Sequence, residues 1–428
     1  MEPIRAIVLG AGRRGTDAYA PYALKNPDKL QIVGVADPSD IRREHMRRQH
    51  NIPEENCYVS WQACLQRQKF ADAVFICTQD QMHFEPAMKA IEAGYDILLE
   101  KPIAPTAREC FLIEQAARKA GVRILVCHVL RYANHYRKIK ELVDSGLIGE
   151  IVHINHIEAV GDYHQAHSYV RGNWNNSETS SPMILAKSCH DMDLLRWIIG
   201  KKCTRLSSFG SLKYFNGAHM PQGAPLRCTD GCPHSAECPY DAVKVYCSPD
   251  TSYWFQSAVT GDPNPTQEKL MEAVRTGPYG RCVFRCDNNV VDHMVVNLEF
   301  EGEVTVAFTM AAFTPAIERE MTIMGTKGYL RGSLEQEKIW VTDFLTKRTE
   351  EIDTRNGQFG HIGHGGGDEG LVRDFVRVLR GEETGDRVTE IGISCESHMI
   401  AFAAEESRIR GSVVEMKTFM RGQTDAVN

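Results

Sequence analysis

Several features are missing from this chain, and each absence excludes a class of protein. No apolar run among its 428 residues is long enough to cross a bilayer, which argues against a membrane protein. The 49 lysines and arginines are outnumbered by 56 aspartates and glutamates, and the net charge of -7 argues against a general nucleic-acid binder. We see no internal repeat and no low-complexity segment. Because residues 1–5 lead straight into an apolar run, we expect no signal peptide and a cytoplasmic location.

The composition is that of an ordinary globular protein, with 43% hydrophobic and 25% charged residues, and the length is enough for two or three domains. Fourteen cysteines are many, yet most stand alone in apolar segments, as Cys77, Cys110, Cys127 and Cys395 do. Isolated cysteines of this kind are typical of reduced core thiols in a cytosolic protein rather than of a disulfide framework.

One polar segment, residues 226–248, is denser in cysteine, and we predict that it is an insertion in the second half of the chain. Cys228, Cys232, Cys238 and Cys247 place four thiols within 20 residues, the number of soft ligands that a structural zinc ion requires. The segment contains no C-x-x-C pair. A structural zinc site, free thiols and a disulfide therefore remain as three alternatives.

The first chemically informative stretch is the turn GAGRRG at residues 10–15, which follows an apolar run and matches G-x-G-x-x-G. In dinucleotide-binding proteins the first glycine permits the tight turn, the second lets the pyrophosphate approach the backbone, and the third lets helix and strand pack closely. We therefore predict that Gly10, Gly12, Arg13, Arg14 and Gly15 bind the cofactor.

A carboxylate follows at the position where such a fold binds the adenosine ribose. A second apolar run, residues 30–36, ends in Asp37, which lies 22 residues after Gly15, close to the spacing of about 20 that is typical of this acid. Asp37 would accept a hydrogen bond from the 2′-hydroxyl and repel a 2′-phosphate. NAD is therefore predicted rather than NADP, with Arg42 and Arg43 nearby to weaken that preference.

Strands and helices continue to alternate up to about residue 127. Apolar runs at residues 71–77, 96–99 and 123–127 read as buried strands, and the segments 83–93 and 106–120 between them have helical patterns. Strands that alternate with helices of 10–15 residues are typical of a doubly wound parallel sheet. We therefore predict a dinucleotide-binding Rossmann domain.

Polar side chains follow the ends of these strands. Thr78 and His83 come after the strand at 71–77, and Glu100 and Lys101 come directly after the strand at 96–99. Because ligands bind at the carboxyl ends of the strands in open α/β sheets, we predict that all four bind the cofactor. A lysine there is costly to bury without a partner or a task. We predict that Lys101 handles a proton beside the nicotinamide ring; a surface lysine after a strand is the alternative.

The pattern changes beyond residue 130. Residues 150–160, 289–300 and 304–310 are long extended runs, the last with strict alternation of large apolar and smaller side chains. This alternation is typical of a mostly antiparallel sheet with one packed and one open face. Helical patterns return at 368–379 and 393–408. We predict a Rossmann domain over residues 1–130 and a second, α+β domain with a large open-faced sheet over residues 131–428.

A second chemical cluster lies in AKSCHDMDLLRW at residues 186–197, whose pattern predicts one helix. Lys187 and His190 are three residues apart, so they would share a face of that helix. A core-facing helix with lysine, histidine and aspartate on consecutive turns is hard to explain by packing. We predict that Lys187 and His190 are catalytic and that Asp191 contacts the substrate.

The segment 163–174 follows a predicted strand and combines aromatic rings with imidazole and guanidinium groups. Flat aromatic faces and planar hydrogen-bonding groups suit a polyhydroxylated ring. We predict that His167, Tyr169, Arg171 and Trp174 contact the substrate; an ordinary polar loop is the alternative.

A glycine-rich loop with His361 and His364 precedes the helical pattern that begins at Asp368. Asp368 is most simply the N-cap of that helix, and a substrate contact is the alternative.

Together, the G-x-G-x-x-G turn, Asp37, Glu100-Lys101-Pro102 and His190-Asp191-x-Asp193 resemble the glucose–fructose oxidoreductase/inositol dehydrogenase/rhizopine-catabolism (Gfo/Idh/MocA) family over nearly the whole chain. The resemblance implies an NAD(P)-binding Rossmann domain and a second domain whose open sheet often supports dimers or tetramers. It also implies that Lys101 is the active-site lysine next to the nicotinamide, that Glu100 helps to bind the cofactor, and that His190 faces the substrate hydroxyl.

One position departs from the family pattern. Many dehydrogenases of the family have an aspartate four residues before the histidine, where this chain has Ala186, followed by Lys187. We therefore expect an NAD-dependent oxidoreductase acting on a hydroxyl of a sugar, sugar derivative or cyclic polyol. The alternative is a glycoside hydrolase that uses NAD for transient oxidation at C3, elimination and re-reduction, and a non-enzymatic NAD-binding regulator is a third possibility. The expected partners are a small carbohydrate or polyol and further copies of the chain in a homo-oligomer, with no nucleic acid and no membrane.

Overall fold

The computed structural model describes residues 2–262, 264–355 and 363–425 of the chain. Two sheets organise the molecule, and each has helices packed against it. Among these described residues, no helix combines the length and the apolar character needed to cross a membrane.

The first sheet is parallel and has six strands. Their bounds are Ile4–Leu9 (β1), Leu30–Ala36 (β2), Cys57–Tyr58 (β3), Ala73–Ile76 (β4), Asp96–Leu99 (β5) and Ile124–Val126 (β6). The strand order is β3-β2-β1-β4-β5-β6, so its direction reverses between β1 and β4. This reversal opens a crevice at the carboxyl ends of β1 and β4, where ligands bind in doubly wound folds. The predicted Rossmann domain is confirmed.

Helices cover both faces of this sheet, which explains why its central strands are apolar throughout. Their bounds are Pro21–Lys25 (α1), Asp40–His50 (α2), Trp61–Leu65 (α3), Phe84–Glu92 (α4) and Ala107–Ala120 (α5); the next helix, Asn134–Asp144 (α6), packs on the second sheet. Side-chain caps define the start of several of them: the Ser39 hydroxyl accepts a hydrogen bond from Arg42 N at α2, and the Thr106 hydroxyl accepts one from Glu109 N at α5. A π-helical turn, Arg14–Tyr19, directly follows the glycine turn.

The second sheet has nine strands and is mostly antiparallel, as predicted. Their bounds are Ile151–Ala159 (β7), Cys203–Ser211 (β8), His293–Phe300 (β9), Val304–Ala311 (β10), Glu318–Gly325 (β11), Gly328–Ser333 (β12), Lys338–Asp343 (β13), Thr349–Asp353 (β14) and Val414–Glu415 (β15). The order is β14-β13-β12-β11-β7-β10-β9-β8-β15, with a parallel pairing between β7 and β10. In β10 the even-numbered residues from Val304 to Met310 are buried, whereas Thr305, Ala307 and Thr309 face the open side. The predicted alternation is therefore confirmed.

The remaining helices follow β7 in the chain, either between strands of the second sheet or after its last strand. Their bounds are Asp162–His164 (α7), Met183–Ala186 (α8), Cys189–Ile199 (α9), Ala242–Cys247 (α10), Tyr253–Thr260 (α11), Gln267–Thr276 (α12), Gly363–Leu379 (α13), Ile391–Arg410 (α14) and Met416–Asp425 (α15). The chain returns to both sheets. Phe375 of α13 packs edge-on against Phe75 of β4 at 5.6 Å between ring centroids, whereas Ser208 Oγ of β8 donates to Ala404 O of α14. The division of the chain at residue 130 stays a prediction.

The predicted single helix at 186–197 is wrong, because it is interrupted. Helix α8 ends at Ala186 and α9 begins at Cys189, so Lys187 and Ser188 lie between two helices. The carbonyls of the last turn of a helix have no partner within the helix. Ala186 O is one of these, and it accepts a hydrogen bond from Lys101 Nζ at 2.8 Å. The interruption thus frees a backbone acceptor for the lysine at the end of β5.

The insertion is larger than the predicted segment 226–248. It comprises the whole connection between β8 and β9, including helices α10, α11 and α12. These helices pack around a small core formed by Ala242, Tyr246 and Val274, with Phe255 and Val259 of α11 against it. The insertion therefore folds as a compact layer beside the second sheet.

Candidate functional site

The glycine turn after β1 leaves a space that a phosphate could occupy. Gly10 has φ +92°, and a Cβ there would lie 2.6 Å from Cys77 O. Gly15 packs just as closely on the Gly10 backbone. A Cβ at Gly12, by contrast, would have no heavy atom within 4 Å. Two glycines are thus required by close packing, and the third faces open space, as a backbone that approaches a pyrophosphate must.

Asp37, the predicted ribose acid, directly follows the end of β2. It is buried, and its Oδ2 accepts a hydrogen bond from Ala11 N at 2.8 Å. Its Oδ1 accepts from Ser39 N at 2.9 Å and from Arg42 Nε at 3.0 Å. The carboxylate is therefore fixed between the glycine turn and α2, at the edge of the crevice.

Arg14 of the glycine turn joins the end of β5, the π-helical turn and helix α13. Its Nε donates to Glu100 Oε1 at 2.6 Å, and its Nη2 donates to Asp368 Oδ1 at 2.8 Å and to Tyr19 Oη. Burial alone would raise the pKa of the Glu100 carboxyl, but the charges of Arg14 and Lys101 outweigh it and hold that pKa below its usual value. The ion pair between Arg14 and Glu100 therefore stabilises the end of β5.

Asp368 is not an N-cap. It lies inside α13, after a kink at His364, Gly365 and Gly366, and its carboxylate is bound by Arg14 and by His364 Nδ1 at 3.2 Å. His361, the other histidine of this loop, lies outside the described residues.

The two predicted cofactor residues after β4, Thr78 and His83, differ in how far their side chains are already bound, and the predicted cofactor contact of Thr78 stays a prediction. His83 is fully buried, with Nδ1 2.7 Å from Pro102 O and Nε2 3.1 Å from Thr78 O. The Thr78 hydroxyl donates to Met82 O at 2.8 Å. The placement of His83 does not support the predicted cofactor contact; its ring instead connects the β4 loop to the turn that carries Lys101.

Lys101 lies where the two domains meet. Its ammonium group donates to Ala186 O at 2.8 Å. Lys187 and His190 lie close to it: burial lowers the pKa of both side chains, and the charge of Lys101 lowers each pKa further. His164 of α7 lies there as well, and its pKa is lowered well below its usual value by burial and then by Lys187. The structure thus brings together all three predicted catalytic residues: Lys101, Lys187 and His190.

Lys187 belongs to a buried group of charges on the second sheet. Its Nζ lies 3.1 Å from Glu158 Oε1, and Arg319 Nε lies 2.6 Å from Glu158 Oε2. Asp191 Oδ1 in turn accepts from Arg319 Nε and His156 Nε2, each at 2.8 Å. Burial lowers the pKa of Lys187, with Glu158 acting in the opposite direction.

The predicted substrate contact of Asp191 is not supported. Its carboxylate is fully buried and already bound by Arg319 and His156. An aspartate at this helix start therefore neutralises a buried arginine, which the helical pattern alone could not reveal.

His190 is neutral in this environment. Burial lowers its pKa well below the usual value, and the charges of Lys101 and His128 lower it further. Its buried Nδ1 has no hydrogen-bond partner in the described part of the chain. The rings of His128 and His364 lie 5.6 Å and 6.4 Å away. A neutral imidazole with an unpaired ring nitrogen is able to exchange a proton with a bound hydroxyl.

Part of the predicted substrate segment 163–174, including His167 and Trp174, lines one groove beside the glycine turn, and the predicted substrate contact of these two residues stays a prediction. The Trp174 ring donates from Nε1 to Asp80 Oδ1 at 3.1 Å and packs near Tyr169, so both lie beside the β4 loop. His167 lies under the insertion, stacked on Tyr279 at 4.8 Å, and its burial lowers its pKa to about 3.

Arg171 is buried in the insertion. Its guanidinium donates to Arg281 O and Tyr240 O, both at 2.7 Å. These carbonyls belong to the insertion, so Arg171 stabilises that layer, and its placement does not support a substrate contact.

Two family models match most of the chain. Residues 4–128 match the oxidoreductase family with an NAD-binding Rossmann fold, and residues 136–331 match the GFO/IDH/MocA C-terminal domain. The chain belongs to this family. Its members are NAD-binding oxidoreductases, which agrees with the open glycine turn and the buried ribose acid described above.

Individual relatives of this Gfo/Idh/MocA protein are distant. A putative oxidoreductase, YteT, from Bacillus subtilis is 25% identical over 348 residues, or 75% of this chain and 78% of the relative. A 2,7-anhydro-N-acetylneuraminate hydratase from Mediterraneibacter gnavus is 25% identical over 202 residues, 47% of this chain and half of the relative. The WlbA dehydrogenase from Chromobacterium violaceum, solved with NADH and UDP-GlcNAcA, has the same fold, with a TM-score of 0.66 and 16% identity over 97% of this chain and 96% of that one.

Of the three alternatives for the cysteine-rich segment, the described residues do not support a structural zinc site. Within residues 2–262, 264–355 and 363–425, no group of three or more His, Cys, Asp or Glu is able to hold a metal ion. Cys228, Cys232 and Cys238 line one small cavity. Cys247 ends α10 elsewhere, with its Sγ 3.9 Å from Met271 Sδ. All fourteen cysteines are free thiols. Within the cysteine-rich segment, α10 carries Cys247 away from the other three thiols.

Several site residues escaped prediction. His128 lies two residues after the end of β6, close to the position that Glu100 has after β5, so the position after a buried strand was an available signal. Burial lowers the His128 pKa to about 4. Glu158 and Arg319 lie on strands of the second sheet and had no such signal, because a charge on the packed face of a strand is recognisable only once its partner is known.

Proposed function

We propose that this protein is an NAD-dependent oxidoreductase that transfers a hydride between a hydroxyl-bearing carbon of a sugar, sugar derivative or cyclic polyol and the nicotinamide. The observation that carries the proposal is the position of Lys101. Its ammonium group extends from the end of β5 to Ala186 of the second domain, beside His190 and Lys187. A nicotinamide bound along β1 and β4 would lie at the same carboxyl edge of the sheet.

Each residue has a distinct part in the proposed reaction. Bound NAD⁺ supplies the hydride acceptor. Lys101 Nζ binds the substrate hydroxyl and accepts or relays its proton, and neutral His190 orients the same hydroxyl. Glu100 and Arg14 hold the end of β5 in place, while His83 fixes the following turn through Pro102 O at 2.7 Å. The proton on the hydroxyl oxygen would thus go to Lys101, while the bound nicotinamide would take the hydride from the carbon that carries this hydroxyl.

A redox-neutral glycoside cleavage is the second candidate. Oxidation at C3 would acidify the C2 proton, a base would remove it as the leaving group departs, water would add, and the hydride would return to C3. The favouring observation is Lys187, whose pKa is lowered by burial and which stands beside the position that an aspartate occupies in many dehydrogenases of the family. A relative named as a hydratase is consistent with this alternative.

One assay separates the candidates. The purified protein is incubated with NAD⁺ and a panel of sugars, polyols and aryl glycosides, and the absorbance of NADH and of released aglycone is followed. Stoichiometric NADH supports the dehydrogenase, and aglycone without net NADH supports the glycosidase. NAD binding with no turnover on any compound would contradict both and indicate a regulator.

The Lys101→Met variant tests the residue that carries the proposal. We expect turnover to fall by roughly 10²- to 10⁴-fold or more, because a proton acceptor is lost. NAD affinity should stay within about tenfold of wild type, about 1.4 kcal/mol. The matched control is Lys119→Met, at the exposed end of α5. Loss of NAD binding together with activity would instead indicate a role of Lys101 in folding or cofactor binding.

We propose NAD rather than NADP, because the buried Asp37 carboxylate would repel a 2′-phosphate.

We also propose a homo-oligomer formed through the open face of the second sheet. Phe209, Val295, Thr309 and Ile157 form one row across four strands of that face, and Phe209 is 63% exposed. Exposed apolar rows of this kind are typical of interfaces. Light scattering on the purified chain should give a mass above 48.1 kDa; the monomer mass would contradict the proposal.

A further inference from the structure

A groove of about 380 Å³ runs beside the glycine turn, and its two walls come from different domains. One wall consists of the dinucleotide elements described above, including Gly12, Arg13 and Arg42. The opposite wall is formed by parts of the segment 167–174, by Tyr279 and by helix α11 of the insertion with the turn after it, residues 253–262, and the α11 part is the one considered below. Neither the family pattern nor the proposed reaction gives this α11 part a role.

Helix α11 has two different faces. Phe255 and Val259, four residues apart, pack on the small core of the insertion. The groove is lined by the other stripe, Trp254, Ser257 and Ala258, which recurs every three to four residues. One face of α11 is thus used for folding of the insertion. The other is presented to the groove and ends in the left-handed C-cap glycine at 261.

Trp254 connects the two walls. The Arg13 guanidinium carbon lies 5.5 Å from the centre of the Trp254 ring, within the range of a cation–π contact. The same ring also packs against His164 at 5.3 Å and His167 at 5.1 Å. Burial keeps the pKa values of both imidazoles below their usual value. Trp254 is therefore held in place over the second variable position of the glycine turn.

We propose that α11 is a cofactor-binding element that retains NAD between turnovers, with Trp254 covering the pyrophosphate region at Arg13. The small side chains of Ser257 and Ala258 leave the groove wide enough for the adenosine half. A dinucleotide enclosed by both walls leaves only when α11 moves, so its dissociation is slow. This inference rests on the proposed NAD dependence. Retention of the cofactor suits the redox-neutral alternative in particular, because there the hydride returns to the substrate before any cofactor has to leave.

The test follows release of NADH from the full-length protein. The protein is loaded with NADH, excess NAD⁺ is added, and the decay of bound NADH fluorescence is recorded. We expect Trp254→Ala to release NADH about tenfold faster than wild type, because a partly desolvated cation–π and stacking surface is lost. The release rate of Trp254→Phe should stay close to that of wild type. Trp340→Ala, a tryptophan of β13 that forms no part of the groove, is the matched control.

A second readout uses the unmodified chain and does not depend on any variant folding. Hydrogen–deuterium exchange with and without NAD⁺ should show protection of the backbone amides of residues 253–260 in the NAD⁺-bound protein. Protection of the glycine turn without protection of α11, or an unchanged release rate in Trp254→Ala, would overturn the inference and leave the proposed function intact. If wild type binds no NADH at all, the proposed function fails and the inference fails with it.

Discussion

Replacing Asp193 by asparagine removes one half of a buried ion pair beneath the site. The Asp193 carboxylate accepts two hydrogen bonds from Arg131, from Nε and Nη2, each at 2.6 Å. Both side chains are only 1% exposed. Asparagine offers one neutral oxygen in place of the carboxylate, so the guanidinium charge is left buried without compensation. Breaking a buried pair in this way costs about 3–5 kcal/mol.

The magnitude translates into a measurable loss of thermal stability. For domains of 150–250 residues, 1 kcal/mol corresponds to about 2–4 °C in Tm, so Asp193→Asn should melt on the order of 10 °C below wild type. The surface control is Glu299→Gln, whose partner Arg205 lies 2.8 Å away with side-chain exposures of 53% and 37%. Exposed pairs contribute about 0–1 kcal/mol. The assay is a thermal melt followed by circular dichroism, without cofactor.

A double variant separates the lost charge from lost packing. In Arg131→Met with Asp193→Leu, both charges are replaced by apolar groups of similar volume, so most of the stability should return. If Asp193→Asn melts no lower than Glu299→Gln, or if the double variant is less stable than the single one, the reasoning about an uncompensated charge is refuted.

The same pair predicts a pH dependence. Burial raises the pKa of Asp193, but the charge of Arg131 outweighs it and lowers the pKa below the usual value. A carboxyl group with a lowered pKa in the folded state contributes stability above its unfolded pKa of about 4 and loses it as the pH falls towards the folded value. The difference in Tm between wild type and Asp193→Asn should therefore be full at pH 7 and shrink below about pH 4.

Two further predictions concern the cofactor groove. Gly12→Ala places a Cβ in open space, so we expect weaker NAD binding with an unchanged Tm. In Gly10→Ala the Cβ would lie 2.6 Å from Cys77 O at φ +92°, so the free energy of unfolding should fall by more than about 1 kcal/mol and the Tm should fall with it. Calorimetry and NADH titration of both variants check the contrast, and equal Tm losses would contradict it. Asp37→Ala removes the carboxylate that accepts from Ala11 N at 2.8 Å. It should improve the ratio of NADP to NAD affinity about tenfold, or 1.4 kcal/mol; an unchanged ratio would mean that Asp37 does not face the ribose.

Much of the fold could be predicted because it depends on local patterns. Continuous apolar strands ending in polar residues indicated the parallel sheet, and the alternation from Val304 to Met310 indicated a sheet with an open face. The glycine turn and Asp37 were recognisable for the same reason, since their spacing follows from one βαβ unit. These features involve contacts within a single unit of the chain, and their geometry follows from the backbone.

Other predictions failed because the destination of a polar side chain depends on distant elements. Asp191 was predicted to face the substrate, but Arg319, 128 residues further along the chain, binds it in the core. Arg171 was predicted to contact the substrate from its planar polar and aromatic neighbours in the sequence, but its carbonyl acceptors lie in an insertion whose fold was not predictable. The cysteines at 228 and 247 are close in sequence, yet α10 separates them.

The sequence by itself determined the class of fold, the position of the dinucleotide crevice and the identity of the lysine at its edge, because strand periodicity, glycine conformation and motif spacing are local properties. Only the tertiary structure decided what surrounds that lysine. The interrupted helix frees Ala186 O for Lys101, Glu158 and Arg319 neutralise the cluster around Lys187, and α11 closes the far side of the groove. Each of these is a contact between segments far apart in the chain, and such contacts are set by packing and the pairing of buried charges rather than by local sequence.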